Sequence, residues 1–220
     1  MHFPRDSAVA DVRVKYGRYV ARRLRRAGFA VLSESVAGAT ATLKASARAA
    51  ADADEATEDA LADRDAADAT LDTATQEARN RLAGRGVHSA REAPYTDLFP
   101  HGISYYTAAT LDEQERRYKE LKDRAEAHLP KADEARKALL PALVAGLKAW
   151  REGVTAVDDA RTEAAKAATV VAKATDAWRR QVEKTYGALV QEIGRSAAEG
   201  YFPRPRTTAK ASAPTPTPTA

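Results

Sequence analysis

The chain has 220 residues, of which 30% are charged, 6% are aromatic and none is cysteine. The lack of cysteine excludes disulfides, thiolate catalysis and cysteine-ligated metal sites. No stretch approaches the ~18 consecutive apolar residues of a membrane-spanning helix. The first residues also lack the apolar core of a signal peptide, so we expect a cytoplasmic protein.

Charge and alanine are the two dominant features of the composition. The formal net charge is +4, but residues 1–50 carry ten Lys or Arg against three Asp or Glu, and residues 51–82 carry three against ten. Alanine makes up roughly a quarter of the chain; it has the highest helix propensity but buries little apolar area. The composition therefore predicts long helices with a thin core.

The first predicted helix spans residues 7–37. Apolar residues recur there at spacings of three and four, which is typical of an amphipathic helix. Three positions are candidates for the end of this helix, near residues 28, 38 and 52. A turn near Gly38 is favoured, because Val31 and Val36 continue the apolar pattern beyond Gly28.

Three further helices are predicted, over residues 39–83, 111–152 and 155–199. Gly84 ends the first of them, and Thr110 with Glu113 forms a capping-box pattern at the start of the second. Prolines at 130 and 141 predict a kink or a short break, and the glycine at 153 predicts a stop. The two tryptophans, at 150 and 178, lie in apolar stripes and are expected in the core.

These elements predict an all-α fold. We expect one domain over residues 1–200, an elongated antiparallel bundle of about four long, alanine-rich, coiled-coil-like helices. Residues 201–220 are rich in Pro and Thr and basic, and we expect them to be disordered.

The loop at residues 84–110 concentrates aromatic side chains and prolines in an otherwise aromatic-poor chain. Long loops of this kind are usually functional or structurally specialised. Two interpretations are open: the loop caps one end of the bundle, or it is an exposed recognition element. Its candidate residues are Tyr95, Leu98, Phe99, Ile103, Tyr105 and Tyr106.

Cations gather on one face of the first predicted helix. On a helical wheel they lie roughly opposite an arc of aromatic and aliphatic residues, and such faces bind phosphates of anionic lipid or nucleic acid. The alternatives are that they pair with the acidic stretch 52–72, that they are solvated, or that they bind a specific acidic protein partner. The candidate residues are Lys15, Arg18, Arg22, Arg25 and Arg26.

The sequence contains no pattern that favours catalysis. None of the four histidines follows a glutamate at the spacing that di-iron bundles require, and no phosphate-binding glycine loop is present. We therefore expect no metal site, no cofactor, no small-molecule substrate and no enzymatic activity. The expected function is that of a structural or interaction protein, binding a protein partner or itself. The alternative is a peripheral binder of anionic surfaces, membrane before nucleic acid.

Overall fold

The structure is a computed structural model that describes residues 3–5 and 8–203. Of the described residues, 83% are helical and none forms a strand. This confirms the predicted all-α fold of helices packed on each other. The long helices are α1 (Ala10–Arg26), α2 (Ala30–Ala83), α5 (Leu111–His128) and α6 (Glu134–Ile193). The short ones are a 3₁₀ helix (Ser89–Arg91), α3 (Tyr95–Leu98), α4 (Ser104–Thr107) and α7 (Arg195–Glu199).

The chain forms two compact units. Unit 1 contains residues 1–51 and 166–220, and unit 2 contains residues 52–165. Each unit takes one part of α2 and one part of α6. Organisation as one domain over residues 1–200 stays a prediction.

The first helix ends at Arg26, and the predicted end at Ala37 is wrong. Gly28 adopts a left-handed backbone with φ of 86°, and the N–H of Phe29 donates to the carbonyl of Leu24 at 3.0 Å. This is the glycine-terminated hydrogen-bond pattern that closes many helices. Gly38, in contrast, lies inside α2. The pattern beyond Gly28 belongs to a second helix in a new direction.

The boundary near residue 153 is also wrong, because α6 continues through Pro141 and Gly153. A Cβ atom at Gly153 would lie 2.9 Å from the Cα of Arg64, so this glycine permits two helices to approach closely instead of ending one. The chain instead breaks between α5 and α6, at Pro130, the other proline where the sequence predicts a kink or a break. There Asp133 accepts a hydrogen bond from the N–H of Ala135 at 2.8 Å and caps α6.

The start of α5 at Leu111 agrees with the sequence, but the reciprocal capping box does not form. The Thr110 hydroxyl donates to the Glu113 carboxylate at 3.2 Å and makes no side-chain bond to a backbone N–H. The position of the helix start is therefore correct and its predicted bonding is not.

Each unit has its own core, and each core contains one of the tryptophans, as expected. Trp178 is 1% exposed in unit 1 and Trp150 is 5% exposed in unit 2. The other large side chains of the first core include Tyr16, Val20, Leu24, Leu43, Val182, Leu189 and Phe202. Those of the second include Leu71, Leu98, Phe99, Tyr106, Tyr118, Leu121 and Leu143.

In unit 1, α1 and α2 form an antiparallel hairpin. The hydroxyl of Ser33 donates to the carbonyl of Ala21 at 2.8 Å. Further from the turn, Gly17 lies against Thr40 and Trp178. The close approach at Gly17 holds the two helices side by side.

The predicted tail begins too early. Phe202 is 3% exposed within the core of unit 1, and Tyr201 packs edge-on against Phe29 with ring centroids 5.7 Å apart. Two aromatic side chains therefore bind these residues to the unit. The rest of the predicted tail, residues 204–220, lies outside the described residues.

Candidate functional site

The α1–α2 hairpin contains a groove of about 870 Å³ whose walls are cationic, which we call the basic groove. No carboxylate or imidazole lines it. The cations of the basic groove are Arg18, Arg22 and Arg25 from α1 and Lys44 and Arg48 from α2. Its remaining lining consists of Ala21, Ser33, Ala37, Thr40, Ala41 and Ala45.

Helix geometry explains why these cations share one groove. Residues 18, 22 and 25 are spaced by four and three positions, so they lie on one face of α1 over about 10 Å. Residues 44 and 48 are spaced by four on α2 and meet them across the hairpin. The turn at Gly28 brings the two basic faces together.

None of the five cationic side chains of the groove has a hydrogen bond or ion pair within the part of the chain that the structure describes, and all five residues are exposed. Other cations of α1 are engaged: Arg23 donates to the carbonyl of Gly200 at 3.2 Å, and Lys15 lies 3.8 Å from Asp11. The basic groove thus concentrates the positive charge that the fold itself leaves uncompensated.

The floor of the groove offers little further chemistry. The Thr40 hydroxyl donates to the carbonyl of Val36 at 2.7 Å and accepts from the indole N–H of Trp178 at 3.2 Å. Ser33 likewise donates to a backbone carbonyl, as described above. With these hydroxyls satisfied and the other floor residues alanine, the groove acts through charge and close packing.

The charge of the whole unit strengthens this field. Counted over the described residues, unit 1 carries 16 Lys or Arg against 6 Asp or Glu, a net charge of +10, whereas unit 2 carries 16 against 24, a net charge of −8. A concave surface lined by one sign of charge raises the local concentration of the opposite charge and speeds association. The basic groove is therefore suited to attract an anionic partner.

The structure divides the predicted cationic set. Arg18, Arg22 and Arg25 line the basic groove, whereas Lys15 and Arg26 are exposed on α1 and do not line it. Sequence reasoning missed Lys44 and Arg48. Their spacing of four residues places them on one face of a helix, but only the turn at residue 28 brings that face against α1.

The aromatic loop lies in unit 2, and its apolar residues are largely inside. Leu98, Phe99 and Tyr106 are buried in the core, and Tyr95, Ile103 and Tyr105 are partly buried. This burial supports the structural interpretation of the loop over the exposed one.

Polar contacts also join the loop to its neighbours. The Tyr106 hydroxyl donates to the carbonyl of Leu98 at 3.1 Å, and burial raises the pKa of this phenol to about 12. The Tyr105 hydroxyl donates to the Glu120 carboxylate at 2.9 Å, and the Arg117 guanidinium lies 4.5 Å from the Tyr105 ring centroid. These contacts occupy Tyr105 and Tyr106, two of the loop residues that an exposed recognition element would use to bind a partner.

The described histidines do not form a metal site. His88 and His101 are exposed, and His101 packs against Tyr105 with ring centroids 5.2 Å apart. His128 lies 3.7 Å from Asp97. Within residues 3–5 and 8–203, no group of three or more His, Asp or Glu side chains has the arrangement to hold a metal ion.

Comparison of the chain with protein-family models, with curated proteins and with solved structures gives no match. Across the described residues, no helix combines the length and the apolar character needed to cross a membrane. The fold and the groove together define the class as an all-α helical protein with a cationic interhelical groove.

Proposed function

We propose that this chain is a non-catalytic interaction protein that binds an acidic protein helix in its basic groove. The observation that carries the proposal is a set of five exposed cations that line one groove: no carboxylate lines it, and none of the five side chains has an ion pair among the described residues. Such a groove stays uncompensated until a partner supplies carboxylates.

The lining of the groove favours a helix over a nucleic acid or a membrane. Single-stranded nucleic acids are usually bound on aromatic side chains that stack with bases, and no aromatic residue lines the groove. Exposed apolar residues that a bilayer would take up, such as Val12 and Tyr19, lie on α1 outside it. An alanine floor lets a third helix approach to the usual 8–10 Å between axes.

The expected complex is sensitive to salt. An exposed ion pair contributes only about 0.2–1 kcal/mol, so charge alone gives modest affinity and mainly sets the association rate and the choice of partner. The remaining free energy comes from apolar contact with the alanine floor. Binding should therefore weaken at high ionic strength without disappearing, because the apolar contact is not screened.

A binding titration tests the proposal. The probe is a fluorescein-labelled, helical Glu/Ala-rich peptide, and the observable is its anisotropy. The groove variant Arg18→Gln/Arg22→Gln/Arg25→Gln should bind the peptide about tenfold more weakly than wild type, which corresponds to about 0.5 kcal/mol for each of the three lost ion pairs. The result is meaningful only if circular dichroism shows unchanged helicity.

A matched variant controls for the loss of three charges. The exposed residues Lys173, Arg180 and Lys184 lie on α6 in unit 1 and do not line the groove. Replacing all three by glutamine should leave peptide binding within about threefold of wild type. Equal losses in the two triple variants would contradict the proposal. Tighter binding of a DNA oligonucleotide or of phosphatidylserine vesicles than of the peptide would favour the anionic-surface alternative.

The proposal includes two expectations from the sequence, a non-enzymatic role and residence in the cytoplasm. The protein acts without an enzymatic reaction, in keeping with a groove that no histidine or carboxylate lines and whose Ser33 and Thr40 hydroxyls donate to backbone carbonyls. Residence in the cytoplasm also stays a prediction.

A further inference from the structure

We infer that the acidic partner is a second copy of this chain, whose α2 segment at residues 52–63 docks in the basic groove. The inference rests on the proposed function, because it names the occupant of the same groove. It is carried by a second charged surface on the same molecule, which we call the acidic segment.

The acidic segment presents a stripe of carboxylates along one side of α2. Residues 52, 55, 59 and 63 are separated by three, four and four positions, so they lie on one helix face. All four are exposed, and none has an ion pair or hydrogen bond among the described residues. The members of the stripe are Asp52, Glu55, Asp59 and Asp63.

The opposite side of this segment is occupied within unit 2. Residues 53, 57, 60 and 64 are partly buried, and on a wheel their mean direction lies about 125° from that of the carboxylate stripe. A partner can therefore reach the carboxylates without disturbing the packing of unit 2. The segment is a formed helix with its charged face free.

The two surfaces match in the spacing of their charges. The stripe, from residue 52 to residue 63, extends over about 16 Å at 1.5 Å per residue, and the α2 wall of the groove, from residue 33 to residue 48, extends over about 22 Å and is long enough to hold it. The cations of the groove recur at spacings of three and four, as the carboxylates do. Ala56 and Ala62 are exposed beside the stripe, and their small side chains suit close packing on the alanine floor.

The chain cannot satisfy its own groove with this segment. Lys44 and Arg48 of the groove wall and Asp52 of the segment follow one another on the uninterrupted helix α2. A continuous α-helix cannot turn back on its own side, so the occupant must come from another molecule. The contact is between two different patches, and it produces either a reciprocal pair or a head-to-tail series.

Charge reversal in two places tests the inference. One variant carries Arg18→Glu/Arg22→Glu/Arg25→Glu, and the other carries Glu55→Lys/Asp59→Lys/Asp63→Lys. Molar mass is measured by light scattering after size-exclusion chromatography, in buffer of about 50 mM and about 500 mM ionic strength. Wild type should exceed the monomer mass at low salt and approach it at high salt, while each variant alone should be monomeric at both.

The equimolar mixture of the two variants is the decisive sample. It pairs a basic segment with an acidic groove and an acidic segment with a basic groove, so association at low salt should return. A mixture that stays monomeric, a wild type that is monomeric at low salt, or a groove variant that associates as wild type does would each overturn the inference. Circular dichroism on each variant shows whether the helices are retained.

The same samples separate this inference from the proposed function. If wild type binds the labelled acidic peptide in the groove but does not associate with itself, the proposed function stands and the second copy is excluded. If wild type fails to bind the peptide, the proposed function itself is wrong.

Discussion

The close contact at Gly17 gives the sharpest test of how α1 packs in unit 1. A Cβ atom at this position would lie 2.8 Å from the indole nitrogen of Trp178 and closer still to the Thr40 hydroxyl. Both groups belong to one buried hydrogen-bonded chain, so neither can move freely. We therefore predict that Gly17→Ala destabilises the protein although alanine is the better helix former.

The magnitude follows from two opposing effects. Overpacking a core typically costs about 1–3 kcal/mol, whereas replacing glycine by alanine inside a helix gains about 1 kcal/mol. Because the contacts of the added Cβ fall below 3.0 Å, we take the upper part of the overpacking range, about 2–3 kcal/mol, and the expected net loss is about 1–2 kcal/mol. At about 2–4 °C per kcal/mol for a chain of this size, the Tm should fall by about 2–8 °C.

The assay is thermal unfolding followed by Trp178 fluorescence in a Trp150→Phe background, which reports on unit 1 alone. Gly38→Ala is the matched control: it lies inside α2 with nothing within 4 Å of a Cβ atom, so the same substitution should raise the Tm. A Gly17→Ala protein as stable as wild type would refute the packing argument. A Gly38→Ala protein that loses stability would instead support the turn near residue 38 that the sequence favoured.

Three further predictions concern the cores, the α6 cap and alkaline pH. The buried indole N–H of Trp150 has no hydrogen-bond partner among the described residues, so Trp150→Phe should cost less than about 1 kcal/mol in urea unfolding, whereas Trp178→Phe, which loses the bond to Thr40, should cost about 1 kcal/mol more. Asp133→Ala removes the cap of α6 and should cost about 1 kcal/mol, which a lowered urea midpoint relative to Asp133→Asn would reveal. Because burial raises the pKa of Tyr106 from 10.0 to about 12, its contribution to stability is complete below pH 10 and is lost as the pH rises through 12. A Tyr106→Phe variant should lose less stability than wild type over that window; identical pH profiles would exclude this account.

The sequence predicted the helical class correctly but placed two helix ends in the wrong positions. Apolar periodicity continues across the turn at Gly28, because the second helix also needs an apolar face. A local pattern cannot distinguish one long helix from two that reverse direction. At Gly153 the opposite error occurred, since the glycine accommodates a neighbouring helix, and only the packed structure shows that neighbour.

The candidate site was recognisable from the sequence in part. The cations at 18, 22 and 25 were identified by their shared helix face, whereas Lys44 and Arg48 depended on the hairpin that joins α1 to α2. The helical wheel placed Val12 and Tyr19 on the apolar arc of the first helix, and in the structure both are exposed. The buried face is instead centred nearer Gly17, a residue without a side chain and therefore without an apolar signal.

The central claim is that an acidic helix from a second copy occupies the basic groove, and site-specific photo-crosslinking from the groove floor tests it most directly. A photoreactive residue replaces Ala41, which is exposed in the groove, and the protein is mixed with an isotopically labelled copy at low salt. The account predicts crosslinks to the labelled peptide of residues 49–64, which trypsin releases by cleaving after Arg48 and after Arg64. Crosslinks to other labelled peptides only, or none to the labelled copy, would contradict it.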